Sequence, residues 1–410
     1  MADTPKIRFR GFTDAWEQRK VGDLVIIERG GSPRPIDKFV TDDEHGLNWV
    51  KIGDAPEQGN YITKTKEKIK PEGLSKTREV HPGDLILSNS MSFGKPYIMG
   101  IDGCIHDGWL LLRDTEHRFD LKYLCYMLGT DMMLSQYKAM AAGSTVNNLN
   151  KELIGNTNVK YPSLDEQVQI GAYFFNLDHL ITLHQRKCDD TKELKKYMLQ
   201  KMFPQNGKKI PEIRFAGFTG DWEQRKLGDV LQRRTEQRQQ SEEYPRLAFA
   251  SGQGVIPLNE RKTNNREQLT KDEFTKKYLV TELDDIVYNP ANVKYGAIDR
   301  NKCGRGLISP IYVTFTTSEI PGYIERIVTS HDFQQKALRF EEGTVTKRQS
   351  VNPEDLVTLD ILISSQREEQ KRISEYFDNL DHLIILHQRK CNELKEVKRF
   401  MLQNMFPQKG

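Results

Sequence analysis

"LDHLITLHQRKCDDTKELKKYMLQKMFPQNG" (177–207) returns almost unchanged as "LDHLIILHQRKCNELKEVKRFMLQNMFPQKG" (380–410). The offset is 203 residues, as from Cys188 to Cys391. Each copy has the period of a long helix. Ile170, Phe174, Leu177, Ile181, His184, Cys188, Met198 and Met202 fall on steps of three and four. Ile373, Phe377, Leu380, Ile384, His387, Cys391, Leu394, Met401 and Met405 repeat the frame, with Lys398 in one heptad place. A seam recurring every seven residues is the mark of helices that pack on one another. Asp165, Glu166, Glu368 and Glu369 sit where the helix dipole favours anions. Proline in "FPQ" ends both helices. Each spans roughly forty residues, hence about 60 Å at 1.5 Å per residue.

A second repeat precedes the helices. "PKIRFRGFTDAWEQRKVGDL" (5–24) matches "PEIRFAGFTGDWEQRKLGDV" (211–230). The segments between are of similar length but differ in sequence, so the plan is constant–variable–constant, twice. With 410 residues the chain is too long for one ordinary core, and the period suits a duplicated domain. Both middles carry apolar strand runs, "GDLILSNS" (83–90), "DDIVYNPA" (284–291), "GLNWVKIGD" and "YPRLAFASGQG". Helical spacing covers 119–140 and 322–340. The expected domains are a first variable domain at 1–161, a first helix at 162–204, a second variable domain at 205–363 and a second helix at 364–410.

About seven residues (205–211) join the first helix to the second half, a reach of roughly 25 Å. Parallel helices would need a return of about 60 Å, the length of one helix at 1.5 Å per residue. The expected fold is therefore α+β: two mixed α/β domains in pseudo-twofold arrangement with two long antiparallel, coiled-coil-like helices. The C-terminal "FPQKG" is expected beside the N-terminal "TPKIRF".

The net charge is +3 and neither proves nor excludes a nucleic-acid partner. Five cysteines without a C-x-x-C indicate neither a zinc site nor a disulfide framework, which suits a reducing cytoplasm. The opening "MADTPKIRFRGF" has no signal-peptide pattern, and no apolar run approaches a membrane span.

Searches for catalysis fail. "YNPAN" (288–292) lacks the aromatic residue an amino-methyltransferase stacks on its base. "SGQG" (251–254) is no dinucleotide fingerprint, and no P-loop occurs. His106–Asp107 and the seam histidines suit structural roles. The polar loops are more informative, because they mix phosphate-binding Arg and Lys with Ser, Asn and Gln that fit base edges. The candidates for DNA contact in the first middle are Arg29, Arg34, Ser88, Asn89, Lys95, Ser144, Thr145 and Asn147. In the second they are Arg233, Arg234, Gln253, Asn292, Lys294, Tyr295, Arg305, Thr344, Lys347 and Arg348.

This organisation resembles the DNA-specificity (S) subunit of type I restriction–modification systems. The residues that carry it are "PSLDEQVQIGAYFFNLDHLITLHQRK" (162–187) and "SSQREEQKRISEYFDNLDHLIILHQRK" (364–390). In each, a Glu-Gln pair precedes the seam and a Leu-Asp follows. The resemblance implies a non-catalytic subunit whose two recognition domains each read half of a bipartite, asymmetric site in double-stranded DNA. It implies that the helices set the spacer and dock two methyltransferase subunits, with restriction/translocase subunits joining. On the helices the implied positions are Phe174, Leu177, Ile181, Arg186, Lys187, Phe377, Leu380, Ile384, Arg389 and Lys390. S-adenosylmethionine, Mg2+ and ATP are then expected on partner subunits, with no cofactor or metal in this chain and no membrane contact. The alternatives are a stand-alone DNA-binding regulator, which would lack a neighbouring methyltransferase gene, and a coiled-coil scaffold without a nucleic-acid role.

Overall fold

The structure is a computed structural model that describes residues 4–89, 93–141, 148–205, 207–250, 252–261, 276–342 and 350–407. Residues 1–187 with 386–410 form one compact unit, and 188–385 form another. The long helices are Leu164–Lys201 and Arg367–Met405, and each unit contains a stretch of both.

In the first unit the constant strand Glu17–Lys20 pairs antiparallel with Asn158–Tyr161, the last strand before the long helix. The variable middle is thus closed by its constant flanks. Two five-stranded mixed sheets lie between them. One runs Val40–Thr41, Glu67–Ile69, Leu47–Val50, Gly103–Ile105, Arg78–Val80; the other runs Ile26–Arg29, Trp109–Arg113, Leu85–Ser88, Pro96–Met99, Tyr61–Ile62. Leu85, Leu87, Leu110 and Leu112 face one core, whereas Ile86, Trp109 and Leu111 face another with Val50 and Tyr97. Strands covered on both faces need apolar residues at every position. That is why "LILS" and "WLLL" are continuous runs rather than alternating ones.

The stretch 119–140 is two helices, Leu121–Leu128 and Asp131–Ala141, instead of the single one its spacing predicts. Gly129 follows the first, and the Thr130 hydroxyl bonds the Met127 carbonyl at 2.8 Å, which starts a new turn. In the second unit Pro321–Val328 and His331–Ala337 divide in the same way, with Ser330 capping Phe333 N–H at 3.2 Å.

The helix pairing is antiparallel within each unit. In the first, Lys398 Nζ meets Asp178 at 2.7 and 2.8 Å, His184 and His387 approach Nδ1 to Nδ1 at 3.1 Å, and Cys391 Sγ lies 3.9 Å from Ile181 O. Numbers rise along one helix as they fall along the other. Phe406, 1% exposed, seals this core 5.9 Å from Phe174 and 6.4 Å from Trp16. Ile7 N–H donates to Asn404 O at 3.0 Å, so the two ends of the chain meet as expected. The second unit repeats the plan by itself. Strand Glu223–Lys226 pairs with Asp360–Ile363, Lys195 pairs with Asp381, Cys188 Sγ lies 3.8 Å from Ile384 O, and Phe203 packs 6.2 Å from Phe377 and 5.7 Å from Trp222.

The Glu-Gln pair of each helix start is a joint. Arg8 grips Glu166 with two bonds of 2.9 and 2.7 Å, and Arg214 grips Glu369 with two of 2.5 and 2.8 Å. Gln167 accepts from Asp120 N–H and donates to Pro162 O, both at 3.0 Å; Gln370 accepts from Ile320 N–H at 3.2 Å and donates to Ser364 O at 2.7 Å. The helix start, the last strand and the domain helix are thereby locked together. Glu166 and Glu369 are fully buried, so losing the arginine leaves an uncompensated interior carboxylate. Arg8→Met is expected to lower stability by about 3 kcal/mol. Glu166→Gln should cost less. Urea unfolding of the two variants measures the order, and the reverse order would count against this reading.

Candidate nucleic-acid interface

In the first unit two of the candidate loops, those of Ser32 and Asn89, converge on one turn, His106–Gly108. Asn89 Nδ2 donates to Asp107 O at 2.8 Å, and Asn89 N–H donates to Gly108 O at 2.9 Å. Leu149 N–H in turn donates to Asn89 O at 3.1 Å. Ser32 Oγ bonds Asp107 Oδ1 at 2.9 Å. The pair Gly30–Gly31 lets the chain pass between carbonyls: a Cβ at Gly30 would lie 2.2 Å from His106 O, and one at Gly31 2.4 Å from Lys76 O. Backbone this close admits no side chain.

The turn therefore gathers the loops, but through side chains that are spent on it. Ser88 and Asn89 are buried, and Ser88 Oγ accepts from Lys95 N–H at 3.0 Å. Both face inward, contrary to a role in touching bases. Arg29 and Arg34 remain exposed beside this turn, and Lys95 is half-buried with its ammonium 4.9 Å from the Tyr97 ring. Lys51 lies nearby, 4.6 Å over Trp49 and 2.6 Å from Glu67. Burial pushes the His106 imidazole below its ordinary pKa, and the positive charges of Lys51 and Arg34 act in the same direction. His106 Nδ1 accepts from Gly108 N–H at 3.0 Å, a turn-holding role. Ser144, Thr145 and Asn147 lie outside the described residues.

The second unit arranges its candidates differently. Arg234 is sequestered by Asp285 through bonds of 2.8 and 3.0 Å. Burial raises the Asp285 pKa, with Arg234 opposing. Arg233 is exposed and pairs with Glu354 at 3.1 Å. Gln253 is exposed in the turn between Leu247–Ala250 and Gly254–Pro257. Asn292 sits half-buried in the helical turn Pro290–Tyr295. Arg305 pairs with Glu243 at 2.6 Å and lies 5.4 Å from the Tyr244 ring, which Arg238 approaches at 4.7 Å. Arg246 stacks 3.5 Å over Tyr278. This alternation of guanidinium and aromatic groups is hidden in the sequence, since Tyr278 and Arg305 join Arg238, Tyr244 and Arg246 only through the fold. The side chains of Lys294 and Tyr295, and all of Thr344, Lys347 and Arg348, lie outside the described residues.

On the long helices Phe174, Leu177, Ile181, Phe377 and Leu380 are buried and Ile384 is half-buried, so these seam residues serve the chain's own packing. Arg186, Lys187, Arg389 and Lys390 face outward. Exposed apolar side chains also recur at matching positions: Leu180 and Leu383, Leu183 and Leu386, Leu194 and Val397, Tyr197 and Phe400, all between 38% and 56% exposed. Such repeated exposure is a feature of interaction surfaces. Among the described residues, no group of three His, Cys, Asp or Glu could hold a metal ion, and no helix is long and apolar enough to cross a membrane.

Residues 13–192 match the family described as the type I restriction modification DNA specificity domain. The type I restriction enzyme MjaVIII specificity subunit of Methanocaldococcus jannaschii is 24% identical over 225 residues, 53% of this chain and 49% of its own length. The chain thus spans about half the length of this curated relative. The crystal structure of the type I restriction–modification S subunit from M. genitalium has the same fold, with a TM-score of 0.63 at 12% identity, covering 99% of this chain and 100% of that one.

The histidine pair makes the first unit sensitive to pH. At 3.1 Å one Nδ1 must donate and the other accept, so both rings cannot be imidazolium. Burial, then His387, Lys187 and Lys390, lowers the His184 pKa. A depressed histidine pKa gives stability that is present above the unfolded value, about 6.5, and lost as pH falls below it. The unfolding midpoint of the chain, minus that of His184→Gln, should therefore rise between pH 5.5 and 7.5. A falling difference would contradict the pairing.

Proposed function

We propose that this chain is the DNA-sequence-specificity subunit of a type I restriction–modification complex. Each recognition domain reads one half of a bipartite, asymmetric site in double-stranded DNA. The constant helices fix the spacing of the half-sites and dock two methyltransferase subunits, and restriction/translocase subunits complete the complex in the cytoplasm. The observation that carries this reading is one frame bearing two different loop sets. The opening strand "EQRK" and the Glu-Gln joint recur residue for residue and the helix seam nearly so, while the exposed Arg, Lys, Gln and Asn groups of the loops do not. A frame held constant preserves partner docking, and loops that differ give each half its own sequence.

No residue of the chain is assigned to catalysis. Adenine methylation with S-adenosylmethionine, and cleavage with Mg2+ and ATP, fall to the partner subunits. The exposed apolar positions Leu180, Leu183, Val397 and Phe400 suit partner helices, since apolar side chains in a polar surround gain most from being covered. Arg34 and Lys51 suit phosphates of the first half-site, and Arg238 and Arg305 those of the second.

Mapping methylated adenines in genomic DNA with and without this gene tests the reading. A two-part motif that vanishes with the gene is expected; an unchanged methylation pattern would overturn it. Arg34→Ala should weaken binding of the assembled methyltransferase by several-fold and reduce the slope of log affinity on log salt by about 1. An unaltered slope would place Arg34 away from the phosphates.

A further inference from the structure

The two long helices are not equally constant along their length. After the Glu-Gln joint they differ at Val168 and Lys371, Gln169 and Arg372, Gly171 and Ser374, Ala172 and Glu375, and Phe175 and Asp378 before "NLDHL" restores identity. Two of these differences, Gly171 against Ser374 and Phe175 against Asp378, meet the domain helices, where each unit makes the contact in its own way.

The first difference is one of size. In the first unit a Cβ on Gly171 would lie 2.4 Å from Asp120 Oδ1 and 2.7 Å from Tyr123 N. Asp120 caps the helix Leu121–Leu128 by accepting from Tyr123 N–H, so this approach leaves no room for a side chain on the long helix. In the second unit the long helix carries Ser374, and the glycine is on the domain helix instead. A Cβ on Gly322 would lie 2.1 Å from Ser374 Oγ. Each crossing thus has one glycine, contributed from opposite sides.

The second difference is one of charge. Phe175 takes the Lys122 ammonium at 4.1 Å over its face and the Tyr61 ring at 6.0 Å. Its counterpart Asp378 takes Arg300 at 2.8 Å and Arg326 at 2.7 Å. The neighbouring aspartate is common to both helices but is met differently. Tyr126 donates its hydroxyl to Asp178 at 2.6 Å, whereas Arg326 reaches Asp381 at 3.0 Å. Arg326 and Arg300 also neutralise buried Glu325, at 3.0 and 2.7 Å. In one unit an ammonium and an aromatic ring meet a phenylalanine; in the other two guanidinium groups meet a carboxylate.

We propose that the first turns of each long helix carry an address for their own recognition domain. Domain plus helix start, 164–178 or 367–381, is then the module that can be exchanged between such chains, and the domain alone is mismatched. Gly171 and Phe175 specify the first domain, Ser374 and Asp378 the second. The proposal rests on the reading of the middles as separate recognition domains. Its test involves no DNA, so it can fail while DNA reading stands, and the converse holds too.

The test is a coupling measurement in the full chain. Asp378→Phe and Arg326→Tyr each import the first unit's residue into the second. Singly, each should lower the thermal midpoint by roughly 5 °C, since each leaves a charge unmatched. Together they remove both partners of the Arg326–Asp378 pair, so neither leaves the other's charge unmatched, and at least half of the summed drop should be recovered. Drops that simply add, or singles without effect, would overturn the proposal. If a single variant is insoluble, a soluble double variant supports the proposal and an insoluble one overturns it. Gly171→Ser, which imports the other helix's residue beside Asp120, should cost a comparable shift; a midpoint equal to that of the unchanged chain would refute the size half of the address.

Discussion

Antiparallel pairing of the two repeated helices is the constraint on which the rest of the structure depends. A helix of 38 residues with so many charges is not kept by propensity; its stability comes from the covered face. In each unit that cover includes residues from the end of the other repeat. Phe406 closes the core built on Phe174, and Phe203 closes the one built on Phe377. Burying one such phenylalanine contributes about 2 kcal/mol, so neither core is complete without the borrowed helix end. Lys398 on Asp178, and Lys195 on Asp381, set the register of an otherwise apolar seam.

This arrangement separates what must be constant from what is free to vary. The Arg–Glu bond and the Glu-Gln joint hold the helix start to the closing strands, and they are the same in both units. The sheets beyond them differ in strand order and in the loops they support. In the first unit the His106–Gly108 turn gathers the loops through the side chains of Ser32 and Asn89 and a backbone bond, while Arg29 and Arg34 stay exposed. In the second, guanidinium groups alternate with tyrosines. One scaffold thereby carries two unlike sets of loops.

Much of this was legible in the sequence, for definite physical reasons. The seam was legible because burial along a helix follows its period, and Ile170, Phe174, Ile373 and Phe377 are indeed covered. The strand runs were legible because sheets covered on both faces use apolar residues throughout. The helix breaks at Gly129 and Thr329 were not, since the apolar spacing continues across them and only the local capping differs. The direction of Ser88, Asn89 and Arg234 was also hidden. Their partners Lys95, Asp107 and Asp285 are set by tertiary structure, and a polar loop residue has the same appearance whether it faces solvent or a buried carbonyl. The Arg8–Glu166 bond spans 158 positions, beyond any local pattern.

The most direct measurement of the pairing is a disulfide scan in a background lacking the native cysteines. Asp178→Cys combined with Lys398→Cys should close an intrachain bond under mild oxidation, because those side chains meet across the antiparallel seam. Asp178→Cys combined with Asp381→Cys, the equivalent positions that parallel helices would bring together, should not. A bond between 178 and 381, with none between 178 and 398, would contradict the account.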